Sequence, residues 1–163
     1  SWDMLSGWAS LSAALGDEDR ILSWLERRVA AGESVPSSHL IHELAVEVAT
    51  DARRFDLLRE ITDPVYECQK IESESNYMQM SLGSSEYFEE MSDEEREMFR
   101  QDLIETRRYS MASQYAIALG IGDADAVQKI QQIVFSRDDT PEARQMLWET
   151  AVYMGAAWSE KPE

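Results

Sequence analysis

The sequence predicts an all-α fold of antiparallel helical hairpins, arranged as an α-solenoid or a compact orthogonal bundle of about eight helices. Three observations lead there. Gly and Pro are sparse, seven and four in 163 residues, so long stretches lack the turn residues that a β fold requires. Apolar side chains recur three or four positions apart, the spacing of one helical face. Helix start and stop signals punctuate those stretches, with short connections suited to antiparallel neighbours.

The first helix is expected over Trp2 to Leu15, with Met4, Trp8, Leu11 and Leu15 on one face. Gly16 closes it, and Asp17 caps a second helix carrying Ile21, Leu22, Leu25 and Val29 as far as Gly32. Ser37, after Pro36, begins a third with Leu40, Ile41, Leu44 and Val48 inward. Asp51 is expected to open a fourth that holds Phe55, Leu58 and Ile61. Asp63-Pro64 starts a fifth, because proline is favoured in the first turn. Its stripe of Val65, Cys68, Ile71, Ser75, Met78 and Leu82 ends at Gly83. Ser92-Asp-Glu-Glu95 is a capping box that begins a long sixth helix reaching about Leu119. Ala112, Ser113, Ala116 and Ala118 give that helix a small-residue surface for close packing. Asp123 caps a seventh with Val127, Ile130 and Val134. Thr140-Pro141 starts an eighth with Ala143, Leu147, Thr150 or Ala151, Met154 and Trp158. One all-α domain is expected over residues 1–158, followed by a polar tail at 159–163.

The composition is globular: 44% apolar and 9% aromatic, with five Trp and eight Met. A net charge of −17 repels nucleic-acid phosphates and anionic lipid heads, which argues against direct contact with either. That charge suits a basic protein or peptide partner. The single cysteine, Cys68, excludes an intramolecular disulfide framework and fits a cytoplasmic setting. No apolar run reaches the length of a membrane span, and no basic-then-apolar leader stands at the start. Ser1 takes the place of an initiator Met, which fits a longer parent chain from which a leader or anchor has been removed.

An internal echo supports the hairpin reading. Gly16-Asp-Glu-Asp-Arg-Ile21 and Gly122-Asp-Ala-Asp-Ala-Val127 share the pattern Gly-Asp-x-Asp-x-aliphatic; an Ala-Leu-Gly ends at Gly16 in the first and at Gly120 ahead of the second. Asp51, before Ala-Arg-Arg-Phe55, follows Asp17 by 34 positions. The segment Ala14 to Val29 resembles the second-helix region of tetratricopeptide repeats. Asp51-Ala-Arg-Arg-Phe-Asp-Leu-Leu58 is similar to sequences that close such arrays. The resemblance covers residues 1–62 and extends to 112–136. It implies stacked helical hairpins with a peptide- or protein-binding groove. The family's Trp, Leu-Gly and Tyr positions are not filled in the first helix, and residues 64–119 keep no 34-residue period.

Chemistry-bearing groups are few. Residues Glu86 to Glu105 are dense in carboxylates, which on one helix face can share a divalent cation. Glu86-x-x-Glu89 matches the first half of the motif of helical nucleotide pyrophosphohydrolases, and the second half is missing. A solvated acidic face is the simpler account. His39 and His42 lie three apart beside Glu43, short of the three ligands zinc needs, and read as partly exposed surface histidines. Asp138-Asp-x-x-Glu142 is similar to the aspartate-rich motif of terpene synthases but lacks its second metal motif, so it reads as a loop and helix start. Cys68 reads as a small buried hydrophobe. No nucleophile elbow, Walker loop or dinucleotide fingerprint occurs.

These features favour a non-enzymatic protein-interaction module without a cofactor or metal, present as a monomer or homodimer. Trp8, Trp24, Trp148 and Trp158 are the candidate contact residues. One alternative is an acidic inhibitor or immunity-type protein that neutralises a basic partner or mimics nucleic acid. Another is a divalent-metal-dependent all-α hydrolase using the Glu86–Glu105 carboxylates.

Overall fold

The computed structural model describes residues 16–35, 40–84 and 86–157. These residues are helical with short connections, and no strand occurs among them. The helices are α1 (Glu18–Ala30), α2 (Leu40–Asp51), α3 (Phe55–Ile61), α4 (Pro64–Gly83), α5 (Glu86–Glu89), α6 (Asp93–Ile121), α7 (Ala124–Phe135) and α8 (Pro141–Tyr153). The helix expected over Trp2 to Leu15 lies outside the described residues. The four-residue α5 has no counterpart in the sequence reading. The chain separates into two compact units, Ser1–Asp63 and Pro64–Glu163.

In the first unit α1, α2 and α3 pack on one another. The face of α1 is the expected one, with Ile21 and Leu25 fully buried. The face of α2 is rotated from expectation. Ile41, Ala45, Val48 and Ala49 are buried, whereas Leu40 is 60% exposed. Ile41, Ala45 and Val48 form a spacing of four and three that fits the helical period as well as the expected set. It also places two alanines inward, where backbones approach closely. Asp51 does not cap α3 but is the last residue of α2. The chain then reverses through Arg53 in a left-handed conformation, φ 55°. The amides of Arg53 and Arg54 return to the carbonyls of Thr50 and Ala49, satisfying groups that the helix end leaves open. Arg54 holds Asp56 at 2.9 Å and also pairs with Glu26 of α1, so this corner is tied to the neighbouring helix.

The second unit is built around α6. Its C-terminal half presents Met111, Ala112, Tyr115, Ala116 and Ala118 to a core completed by Cys68 of α4, Ile130 and Val134 of α7, and Leu147 and Ala151 of α8. The most extensive helix pairing of this unit is α6 with α8. The alanines of α6 and, on α8, Ala143 and Ala151 are all buried, small residues that permit close approach of the two helices. Ala151 rather than Thr150 takes the buried position. α8 ends at Tyr153, five residues before Trp158, which lies outside the described residues.

The capping signals act largely as expected. The Ser92 hydroxyl accepts from the Glu95 amide at 3.2 Å, and the Glu95 carboxylate accepts from the Ser92 amide at 2.8 Å. The Asp123 carboxylate accepts from Ala126 at 3.0 Å, and the Thr140 hydroxyl from Ala143 at 3.2 Å ahead of Pro141. Gly16 and Gly122, the paired glycines of the internal echo, share a left-handed conformation (φ 72° and 81°). Asp17 departs from the pattern: its carboxylate makes no cap bond and instead pairs with Arg20 at 2.8 Å.

Candidate functional site

α4 and the N-terminal half of α6 run antiparallel: Glu72 meets Arg107, and Leu82 lies opposite Leu103. Together they form an arm. None of the described residues from 69 to 106 is fully buried, in contrast to the C-terminal half of α6. The end of the arm is fastened by Phe88 against Phe99, edge to face at 6.5 Å between ring centres. Arg96 closes it further by donating to the carbonyls of Phe88 and Glu89, each at 2.9 Å.

The sequence stripe of α4 is only half used. Cys68 is fully buried, and burial pushes its thiol up to about 12, as expected for an inert core cysteine. Further along, Met78 is exposed. A second stripe, on another face, carries Tyr66, Tyr77 and Met80, respectively 51%, 73% and 77% exposed. Eleven residues make about three turns, so Tyr66 and Tyr77 share one side of α4, with Met80 one turn beyond. Lys70 stands over the Tyr66 ring at 5.2 Å.

Of the tryptophans proposed for contact, Trp8 and Trp158 lie outside the described residues. Trp24 is buried to 9% exposure, with the Arg28 guanidinium 5.4 Å from its ring. Trp148 is half-buried and lines an open hollow of about 610 Å³ with Pro141 and Arg144. Trp24 and Trp148 belong to different units. The exposed Tyr and Met residues of the arm escaped the sequence reading because Met78 was assigned to the core and the tyrosines were assigned to no face.

The acidic run is spread over the surface of the arm. Asp93 lies 3.8 Å from Arg96, and Glu97 accepts from Gln101 at 2.9 Å. Glu95 is held below the usual carboxylate range by the Ser92 backbone amide. Among the described residues no three His, Cys, Asp or Glu side chains converge as a metal-ion site. His39 lies outside the described residues. His42 is not a surface residue but is buried, its Nε2 2.6 Å from the carbonyl oxygen of Ile61. Nε2 must carry the proton and donate, since a carbonyl only accepts. The bond satisfies the last carbonyl of α3, an orphan of the helix end.

The polar network that sequence reading missed lies where the arm joins the core. Arg107, 8% exposed, donates through Nε to Glu72 at 2.8 Å and reaches the carbonyl of Ile133 at 3.4 Å. Arg137, in the loop after α7, binds the other Glu72 oxygen at 2.8 Å and also engages Asn76. Arg108 forks onto Asp138 at 2.5 and 2.9 Å, and Thr140 donates to the same carboxylate at 2.9 Å. The Arg108 guanidinium holds the Asp138 carboxyl below its ordinary range, against the upward push of burial. Asp138 is thus a buried anchor for the loop between α7 and α8. The ion pairs of this network join residues 30 to 65 apart, and no local pattern announces them.

A scan of protein-family models and searches of curated proteins and solved structures found no match to this chain. None of the described helices is long and apolar enough to cross a membrane.

Proposed function

We propose that the chain is a non-enzymatic protein-interaction module and that the α4–α6 arm carries its contact surface. One observation motivates this reading: the arm presents Tyr66, Tyr77 and Met80 to solvent along one side of α4. Exposed aromatic and methionine side chains are the residue types enriched in the centre of protein interfaces. A continuous helix face offers them at fixed spacing, as in helix-to-helix recognition. The partner is a protein or peptide that supplies an apolar strip and, given the −17 charge, basic flanks. The glycine–aspartate corners at Gly16 and Gly122 suit the helical-hairpin architecture that such modules use.

The test is affinity capture from cell extract by the unaltered chain and by a Tyr77→Ser, Met80→Ser variant, followed by titration of whatever is retained. A saturable partner lost by about 2 kcal/mol or more in the variant is the expected result. Equal retention by both proteins, or no retained partner, would sink the reading.

The carboxylates of the arm favour a second reading, an acidic inhibitor that captures a basic partner by charge. The two separate by salt. Capture by charge weakens steeply between low and several-fold higher ionic strength, whereas an apolar contact changes little.

A further inference from the structure

Two hollows adjoin along the arm, sharing Gln79 and Ile104 as a common wall. The first, about 540 Å³, is lined by Arg107, Arg108, Arg137 and Asp138. The second, about 290 Å³, is lined by Leu82, Phe88 and Leu103 together with Arg100, whose charge is paired with Glu97 at 3.7 Å. The basic end is notable in a chain with only 15 Lys and Arg against 32 Asp and Glu.

The three guanidinium groups are fixed by their partners but not used up. Among the described residues, Nη1 of Arg107, Nη1 of Arg108 and Nη2 of Arg137 make no hydrogen bond or ion pair, while the remaining nitrogens of each are engaged. Each side chain therefore offers donors from a pinned rotamer, which reduces the ordering cost of binding an anion. Glu72 and Asp138 neutralise two of the three charges. Glu105 and Glu142 also bear on Arg108, but both are solvent-exposed and line neither hollow. A surplus of one positive charge matches a monoanion better than a phosphate dianion. Leu103 and Arg107 lie one helical turn apart on α6, about 6 Å along its axis, which sets the distance between charge and apolar group in the ligand.

We infer that these joined hollows bind a small monocarboxylic acid with an apolar chain, its carboxylate on Arg107, Arg108 and Arg137 and its chain on Leu82, Phe88 and Leu103. The inference does not depend on the protein-interaction reading, since it concerns the inner junction of the arm and not the exposed face of α4.

The test is titration of the full chain with sodium octanoate, followed by backbone amide NMR, with butyrate, octanamide and inorganic phosphate as comparison probes. Octanoate is expected to saturate shifts centred on residues 79, 103, 104 and 107. Butyrate, lacking four methylenes, and octanamide, lacking the charge, should each bind about ten-fold more weakly or worse. Arg137→Gln, on an exposed loop, should weaken octanoate about ten-fold with helicity unchanged. Leu103→Gln should abolish the preference for octanoate over butyrate. Phosphate bound as tightly as octanoate would overturn the inference. So would shifts that do not saturate or centre elsewhere, or an Arg137→Gln variant that binds octanoate like the parent chain.

Discussion

Asp138 shows how much one side chain can decide. It is 9% exposed and accepts from two nitrogens of Arg108 and from the Thr140 hydroxyl, so it ties the loop before α8 to the middle of α6. Thr140 in turn caps α8, so loss of the carboxylate loosens both a charge pair and a helix start. Asp138→Asn should lower the unfolding free energy at neutral pH by about 1–3 kcal/mol, read by urea unfolding. The pH dependence has a definite sign. The folded carboxyl titrates below its ordinary value, so its contribution is present in full above that value, about 3.9, and fades as pH falls through the depressed one. The gap between parent and variant should therefore narrow below about pH 4. A gap that widens in acid would contradict the assignment. The aspartate was visible in the sequence, but its role was not. Its partner lies 30 positions away, and the motif Asp-Asp-x-x-Glu suggested only a loop and a helix start. His42 teaches the same lesson: a histidine on a helix reads as surface until the neighbouring helix end supplies the carbonyl it serves.

At the level of helices, the signals that were legible are those that act within one turn. The Ser92–Glu95 box, Asp123, and Thr140 with Pro141 start their helices as read, because cap chemistry is local. Ser92→Ala removes an acceptor for the Glu95 amide at the start of a helix whose first turns have little buried support. It should cost about 1 kcal/mol and lower the helical circular dichroism signal, while Ser92→Thr largely restores it. An unchanged signal and midpoint would mean that Arg96 and Phe88 alone fasten this end. Signals that depend on neighbours were less legible. The inward face of α2 was misplaced because Leu40 attracted the assignment, while the true face is built from Ala45 and Ala49, whose packing value comes from closeness rather than size. The spacing of Met78 continues the α4 stripe, yet the residue is 44% exposed. Asp51 resembled a cap, but the reversal at Arg53 leaves it on the preceding helix.

For the whole molecule, charge is the dominant fact. With 32 acidic and 15 basic side chains, the folded chain carries self-repulsion that an expanded chain relieves. Raising sodium chloride from about 10 to 150 mM shortens the screening length from about 30 to 8 Å and should raise the melting temperature by a few degrees. A falling melting temperature over that range would show that the ion pairs around Glu72 and Asp138 outweigh the net repulsion. The all-helical class was legible because apolar spacing and the scarcity of glycine and proline act along the whole chain. The candidate contact surface was not, because exposure is decided by which faces find a covering neighbour.

The long helix α6 belongs to both the arm and the core, without a break from Asp93 to Ile121. It is therefore a strut of about 44 Å, held in the core over its second half and paired with α4 along its first. A tilt of ten degrees at the clamp would sweep the free end by about 4 Å, given a rise of 1.5 Å per residue over some fourteen residues. The fulcrum of that lever lies at Arg107 and Arg108. A load applied to the tip is thus delivered to the guanidinium groups that fasten the strut to Glu72 and Asp138.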